Sequence, residues 1–229
     1  MNFRPIRSQS PILLVGGGDC PPEMLTPLLD RCPVRVAADG GAAALLAAGI
    51  VPDAVIGDLD SLSLADRGRI PSERIHRITE QDSTDFDKCL RNLDAPLIHA
   101  AGFLGARLDH QLAAMTVLAR RPDRPCLLIG REDVAALCPP ELALDLPVGS
   151  RVSLYPMAEV GGSSRGLRWP IDGLRFTPDR ITGTSNESDA PRVELRLDAP
   201  KMLIILPVQA RASLERALLE APSRWPARA

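Results

Sequence analysis

The chain has 229 residues, 45% of them hydrophobic, which is enough for one large domain or two small ones with a real core and is not the composition of a disordered protein. Its formal charge is −2, with 27 basic against 29 acidic residues, so it lacks the positive excess that nucleic acid or an anionic membrane rewards. The cysteines (Cys20, Cys32, Cys89, Cys126 and Cys138) are odd in number and show no C-x-x-C spacing, which argues against a zinc site or disulfide framework and fits a reducing cytoplasm.

No apolar run approaches the roughly 20 residues that cross a bilayer. Residues 1–10 carry two arginines but no apolar stretch, unlike a signal peptide. From there the first half alternates short apolar runs with helical patterns. Strands are expected at 12–15, 34–38, 54–56, 74–78, 97–100 and 126–129, and helices at 41–48, 84–93 and 109–120. Continuous apolar strands alternating with helices predict parallel pairing in a doubly wound α/β sheet. After about Gly130 the rhythm changes. Segments 151–155, 173–176, 192–197 and 202–206 are short and strand-like, with Gly, Pro, Ser and Asn between them. They predict a small all-β region closed by one helix around 210–220. The boundary falls at 130/131, giving domains 1–130 and 131–229.

Four clusters carry chemistry. Gly16-Gly17-Gly18 follows the first strand, where glycines let a backbone approach phosphates. Pro21 stands where a dinucleotide fingerprint needs its third glycine, so a plain tight turn explains this segment equally well. Asp58 and Asp60 end the strand at 54–56; in extended backbone two residues two apart leave one face. Two close carboxylates at the carboxyl end of a parallel strand favour a hard divalent cation, the alternative being an Asp-rich turn. In Gln81-Asp82-Ser83-Thr84-Asp85, Asp82 can cap a helix with Asp85 as its capping-box partner. Asp85 and Lys88 share a face of that helix, one carboxylate for a metal and one ammonium for a phosphate. Gly102 to His110 offers glycines and Arg107 before a helix N-terminus, a cradle for phosphate. Trp169 lies in turn-like sequence; it is either a core residue or a face for a cationic ring.

Taken in order, these segments resemble the thiamine pyrophosphokinase family. The resemblance rests on Asp39-Gly40-Gly41, Pro52-Asp53 with Gly57-Asp58-Leu59-Asp60-Ser61, and Gln81 to Asp85 with Lys88. Gly105 to His110, Gly166-Leu167 with Trp169, and Thr184-Ser185-Asn186-Glu187 complete it. Ala106 departs from it, standing where the family usually has a second glycine. The resemblance implies a Rossmann-like nucleotide-binding domain, a thiamine-binding antiparallel β-sandwich, Mg²⁺ dependence, and a homodimer whose sites are shared across the interface. It implies transfer of a pyrophosphoryl group from ATP to thiamine, with Asp58, Asp60, Asp82 and Asp85 catalytic and Asp58, Asp60 and Asp85 on the metal. Asp39, Gly40, Lys88, Gly105, Arg107, Asp109 and His110 would meet ATP, and Gln81, Trp169, Ser185 and Asn186 thiamine. A hydroxymethylpterin pyrophosphokinase would share the aspartates but not the segments around Trp169 and Asn186. A nucleotide sensor without catalysis would have no use for four acids at metal-binding spacing.

Overall fold

The computed structural model describes residues 4–105 and 107–227. Ala106 therefore lies outside the described residues. In chain order the first half runs β1 (Ile6–Arg7), β2 (Ile12–Val15), α1 (Pro22–Leu29), β3 (Val34–Ala38), α2 (Gly41–Ala47), β4 (Ala54–Gly57), α3 (Leu64–Arg67), β5 (Ile75–Arg77), α4 (Asp85–Asn92), β6 (Leu93–Asp94), β7 (Ile98–Ala101), α5 (Leu108–Arg120) and β8 (Cys126–Ile129). The second half runs β9 (Asp133–Leu137), β10 (Glu141–Asp145), β11 (Arg151–Pro156), β12 (Val160–Arg165), β13 (Arg175–Phe176), β14 (Gly183–Glu187), β15 (Arg192–Leu197), β16 (Met202–Pro207) and α6 (Arg211–Glu220). It is a mixed α/β fold with large sheets. Two compact units divide it: residues up to Val117 with Leu128–Arg131, and Leu118–Leu127 with the chain from Glu132 onward.

In the first unit, β7, β2, β3, β4 and β5 pair in that order, every pair parallel. β2, β4 and β7 are buried at all four positions, which is why their sequences read as unbroken apolar runs. Parallel strands need crossovers, and α2 supplies the one from β3 to β4. Its Gly41 is obligatory: a Cβ there would lie 2.0 Å from the Val15 carbonyl oxygen. The bare glycine lets the helix start against β2 and turns the carboxyl ends of β2 and β3 into one floor.

In the second unit β14, β11, β16 and β9 pair antiparallel in that order as part of a larger sheet, and β10-β15-β12-β13 form a four-stranded antiparallel sheet. β10 and β15 alternate buried and more exposed residues, and their register sets Leu142 opposite Leu195 and Leu144 opposite Val193 on the buried face. The period of two in the sequence is thus the signature of a sheet with one face on a core. α6 packs on β10.

Several elements depart from the expectations. β14 is a strand although its sequence, Gly-Thr-Ser-Asn-Glu, is rich in turn formers, and β12 is another built largely of glycine and serine. Pairing to β11 and β15 holds them, because strand formation depends more on neighbours than on intrinsic preference. Asp82 is not the helix cap. α4 begins at Asp85, and the Thr84 hydroxyl oxygen accepts from the Asp87 N–H. Thr84 wins because a cap must directly precede the first helical residue. All five cysteines are free; Cys32, Cys89, Cys126 and Cys138 are buried and Cys20 half-buried. Among the described residues no helix is long and apolar enough to cross a membrane.

Candidate active site

The parallel register fixes the first part of the site. Ala38 of β3 stands opposite Ile56 of β4, so the chain leaves both strands at the same edge, carrying Asp39 and Asp58 with it. Asp39 adopts a left-handed conformation, with φ 44°, which ends β3 and turns the chain into α2. Its N–H donates to the Ile56 carbonyl at 3.0 Å, and its Oδ2 accepts from the Ser61 N–H at 3.1 Å. Leu59 is also left-handed, with φ 68°. Asp58 and Asp60 therefore converge through a tight reversal and not through the extended backbone expected from their spacing. The Asp60 N–H donates back to Asp58 Oδ1 at 3.3 Å.

The outcome is a group of three carboxylates. One oxygen each from Asp39, Asp58 and Asp60 lies within 4.8 Å of the others. Asp39 is almost wholly buried, and its Oδ1 has no hydrogen-bond partner among the described residues. A buried, unpartnered carboxylate oxygen beside two other carboxylates is costly unless a cation completes it. An all-oxygen donor set suits Mg²⁺ or a similar hard divalent ion, so the residues fit the implied metal. Burial raises the Asp39 pKa, an effect offset in part by the Ser61 hydrogen bonds and reinforced by the charge of Asp85. Asp58 is pushed up by burial, but hydrogen bonds from the Asp60 N–H and Gln81 and the ammonium of Lys88 bring it below the usual carboxylate range.

Asp85 was expected among the metal ligands and Asp39 was not. Asp39 supplies the third oxygen of this group, and Asp85 lies against Lys88, Nζ to Oδ1, at 3.1 Å. The signal was present in the sequence: Asp39, like Asp58, immediately follows an apolar parallel strand. Lys88 is buried and also lies 3.8 Å from Asp58. It thus faces carboxylates, as an internal counter-charge to the acids. Gln81 joins the same cluster, its Nε2 donating to Asp58 Oδ2 at 3.3 Å, while Asp82 is exposed beside it.

In the expected phosphate loop Gly102 is buried, while Gly105, Arg107 and Asp109 are exposed. Gly105 has φ 90°, and Arg107 and Asp109 pair with each other at 2.6 Å, with His110 exposed in the first turn of α5. Sequence reasoning missed Arg131, whose guanidinium holds Asp19 of the glycine turn, Nη2 to Oδ1, at 2.8 Å. Gly40, on the floor between Asp39 and α2, has space for a Cβ only at 3.2 Å from Ser61.

In the second unit Trp169 is 54% exposed, which removes the core alternative. Arg168 lies over its ring, guanidinium carbon to centroid 5.0 Å. Ser185 is exposed and left-handed, with φ 59°. Asn186 is buried beneath Trp169.

Comparison with known proteins finds similar chains. A profile described as thiamin pyrophosphokinase, catalytic domain, matches residues 25–128, which include every acid of the cluster. Curated relatives agree. Thiamine pyrophosphokinase 1 of Arabidopsis thaliana is 25% identical over 209 residues, covering 76% of this chain and 78% of its own. The Bacillus subtilis thiamine pyrophosphokinase is 28% identical over 193 residues, covering 77% of this chain and 88% of its own. Over these stretches the chain is similar to thiamine pyrophosphokinases. The crystal structure of the Bacillus subtilis family member superposes with a TM-score of 0.70 at 25% identity, over 86% of this chain and 98% of that one. The structural likeness thus extends past the catalytic profile into the β-rich half of the chain.

Proposed function

We infer that the protein is a thiamine pyrophosphokinase, moving the pyrophosphoryl group of ATP to the hydroxyl of thiamine to give thiamine diphosphate and AMP. The observation that carries this reading is the Asp39, Asp58 and Asp60 group at the carboxyl edge of a parallel sheet, within the stretch matching the family's catalytic domain. Ligands of open α/β sheets bind at that edge. The finer architecture we propose is a Rossmann-like nucleotide domain followed by a β-sandwich that receives thiamine.

In this reading Asp39, Asp58 and Asp60 hold Mg²⁺, which supplies positive charge to the phosphate oxygens. The remaining work is alignment and charge balance by the chain's own groups. Asp85 and Lys88 brace Asp58. Gly40, Gly105, Arg107, Asp109 and His110 receive the nucleotide, Arg107 exchanging Asp109 for phosphate. Gln81, beside Asp58, meets thiamine where its hydroxyl approaches the acids; Asp82 lies next to it. Trp169 offers a π-face to the cationic thiazolium ring, with Ser185 nearby. The thiamine hydroxyl oxygen bonds to the β-phosphorus, the bridging oxygen leaves with AMP, and a carboxylate of the acid cluster accepts the hydroxyl proton. The active form is a homodimer, each site drawing acids from one copy and Trp169 from the other.

Incubation with Mg-ATP and thiamine is expected to give thiamine diphosphate and AMP, separated by chromatography. ADP with thiamine monophosphate would overturn the pyrophosphoryl assignment. Asp58→Asn is expected to lower kcat at least about a hundredfold with the fold intact by circular dichroism, because an amide does not neutralise a cation.

A further inference from the structure

Family resemblance counts Asn186 among the thiamine contacts, but its hydrogen bonds point elsewhere. The segment from Gly166 runs antiparallel to the end of β14: the Asp189 N–H donates to the Gly166 carbonyl at 3.0 Å, Leu167 bridges Ser188, and the Arg168 N–H donates to the Glu187 carbonyl at 2.8 Å. The next rung has no backbone partner, because Asn186 is paired on its other side to Val152 of β11. Its side chain supplies the rung instead. Asn186 Oδ1 accepts from the Trp169 N–H at 3.2 Å, and Nδ2 donates to the Trp169 carbonyl at 2.7 Å. Oδ1 also accepts from the Glu187 N–H at 2.8 Å.

A carboxamide has two donor hydrogens and two acceptor lone pairs. Three of these four are spent within the chain, and Asn186 itself is only 6% exposed. The backbone is arranged to hold it there. Between Val152 and Leu154 the register of β14 against β11 shifts, and the Ser153 hydroxyl oxygen accepts the Ser185 N–H at 3.0 Å while Ser185 turns left-handed. Such a bulge re-aims the next side chain. At the other end Gly166 has φ 72°, and a Cβ would meet the Arg192 carbonyl oxygen at 2.1 Å, so the strand-like return toward Trp169 needs a glycine.

We propose that Asn186 is a positioning residue for Trp169 and not a contact for thiamine: it clamps both backbone polar groups of Trp169 so that an exposed indole is presented in one orientation. The inference rests on the thiamine reading for what the indole receives, but not for the clamp itself. An exposed aromatic side chain normally pays for binding in lost rotational freedom, and fixing its base in advance removes part of that cost.

The test is the fluorescence anisotropy of Trp169 without ligand, with the Trp169→Phe protein supplying the Trp225 background, alongside steady-state kinetics. Two variants are compared. Asn186→Ala removes all three bonds. Asn186→Asp keeps both acceptor bonds but turns the donor toward the Trp169 carbonyl into an opposing oxygen. Both are expected to lower the ligand-free anisotropy of Trp169 and to raise the thiamine KM about tenfold, with kcat and the ATP KM within about twofold of wild type. A raised KM with ligand-free anisotropy unchanged would make Asn186 a direct contact and overturn the proposal, as would freed Trp169 with unchanged KM. A carboxylate that touched the thiazolium directly would tighten binding, so an Asp variant that binds thiamine better also overturns it. Failure of both variants to fold would make Asn186 a pin of the fold and sink the positioning role. If the wild-type protein makes no thiamine diphosphate, the functional reading fails, while the ligand-free anisotropy still decides the clamp.

Discussion

Asp39 meets three demands at once: it ends β3 in a left-handed turn, it takes the Ser61 N–H, and it buries an oxygen with no partner among the described residues. Burial raises its pKa, Ser61 offsets part of that, and Asp85 adds to it. A carboxyl that holds its proton more tightly folded than unfolded loses stability as pH rises from its ordinary value through the raised one. At neutral pH the charge on Asp39 therefore destabilises the metal-free fold. Asn keeps an acceptor for Ser61 and tolerates left-handed backbone. Asp39→Asn is expected to melt above wild type at pH 7 without metal, with the gap closing as pH falls below the ordinary carboxylate value. Mg²⁺ is expected to raise the wild-type Tm and leave the variant's unchanged. A variant that melts lower at pH 7 would remove Asp39 from the role of a site residue held at a cost to the fold.

Among the elements, α2 sets helix preference against close approach. Alanine is the better helix former by about 1 kcal/mol, so propensity alone says Gly41→Ala stabilises. A Cβ 2.0 Å from the Val15 oxygen demands that helix and strand separate, at about 1–3 kcal/mol or more. The second effect is larger, and urea denaturation is expected to show a net loss; a gain would mean that α2 shifts freely. The same contrast explains what was readable in the sequence. β2, β3 and β8 were legible to the residue because their runs are mostly apolar, and β15 because one buried face imposes a period of two. β14 was not, since its pairing comes from β11 and not from its own residues. The acids were legible as a cluster, but the nearness of Asp39 to Asp58 was not, because strand adjacency, and not sequence distance, brings it there. The clamp of Asn186 on Trp169 left no trace in spacing, since its partner lies 17 residues away and is a backbone.

For the molecule as a whole, the acids and Trp169 belong to different units of the chain. The proposed dimer makes each site from two copies, and a two-fold assembly repeats the contact twice. Asp58→Asn and Trp169→Ala proteins, assayed with thiamine below its KM, are then expected to complement as purified mixed dimers. One site would carry both defects and the other none, restoring up to about half the wild-type activity per dimer. Mixed dimers as poor as their parents would mean that each chain builds its own site. The distribution of thiols adds a practical handle at the same scale. Four are sealed in the interior, where burial pushes Cys89, Cys126 and Cys138 toward the inert thiol form. Cys20 alone is partly open, its thiol pushed up to about 11 by burial and by the charge of Asp19. Maleimide should therefore modify the native protein once, slowly at pH 7 and about tenfold faster per pH unit above it, as intact mass would record. Cys20 packs beside Gly102, where a Cβ would come within 3.2 Å of its own, so a dye attached there is a built-in optical reporter for events at the glycine turn.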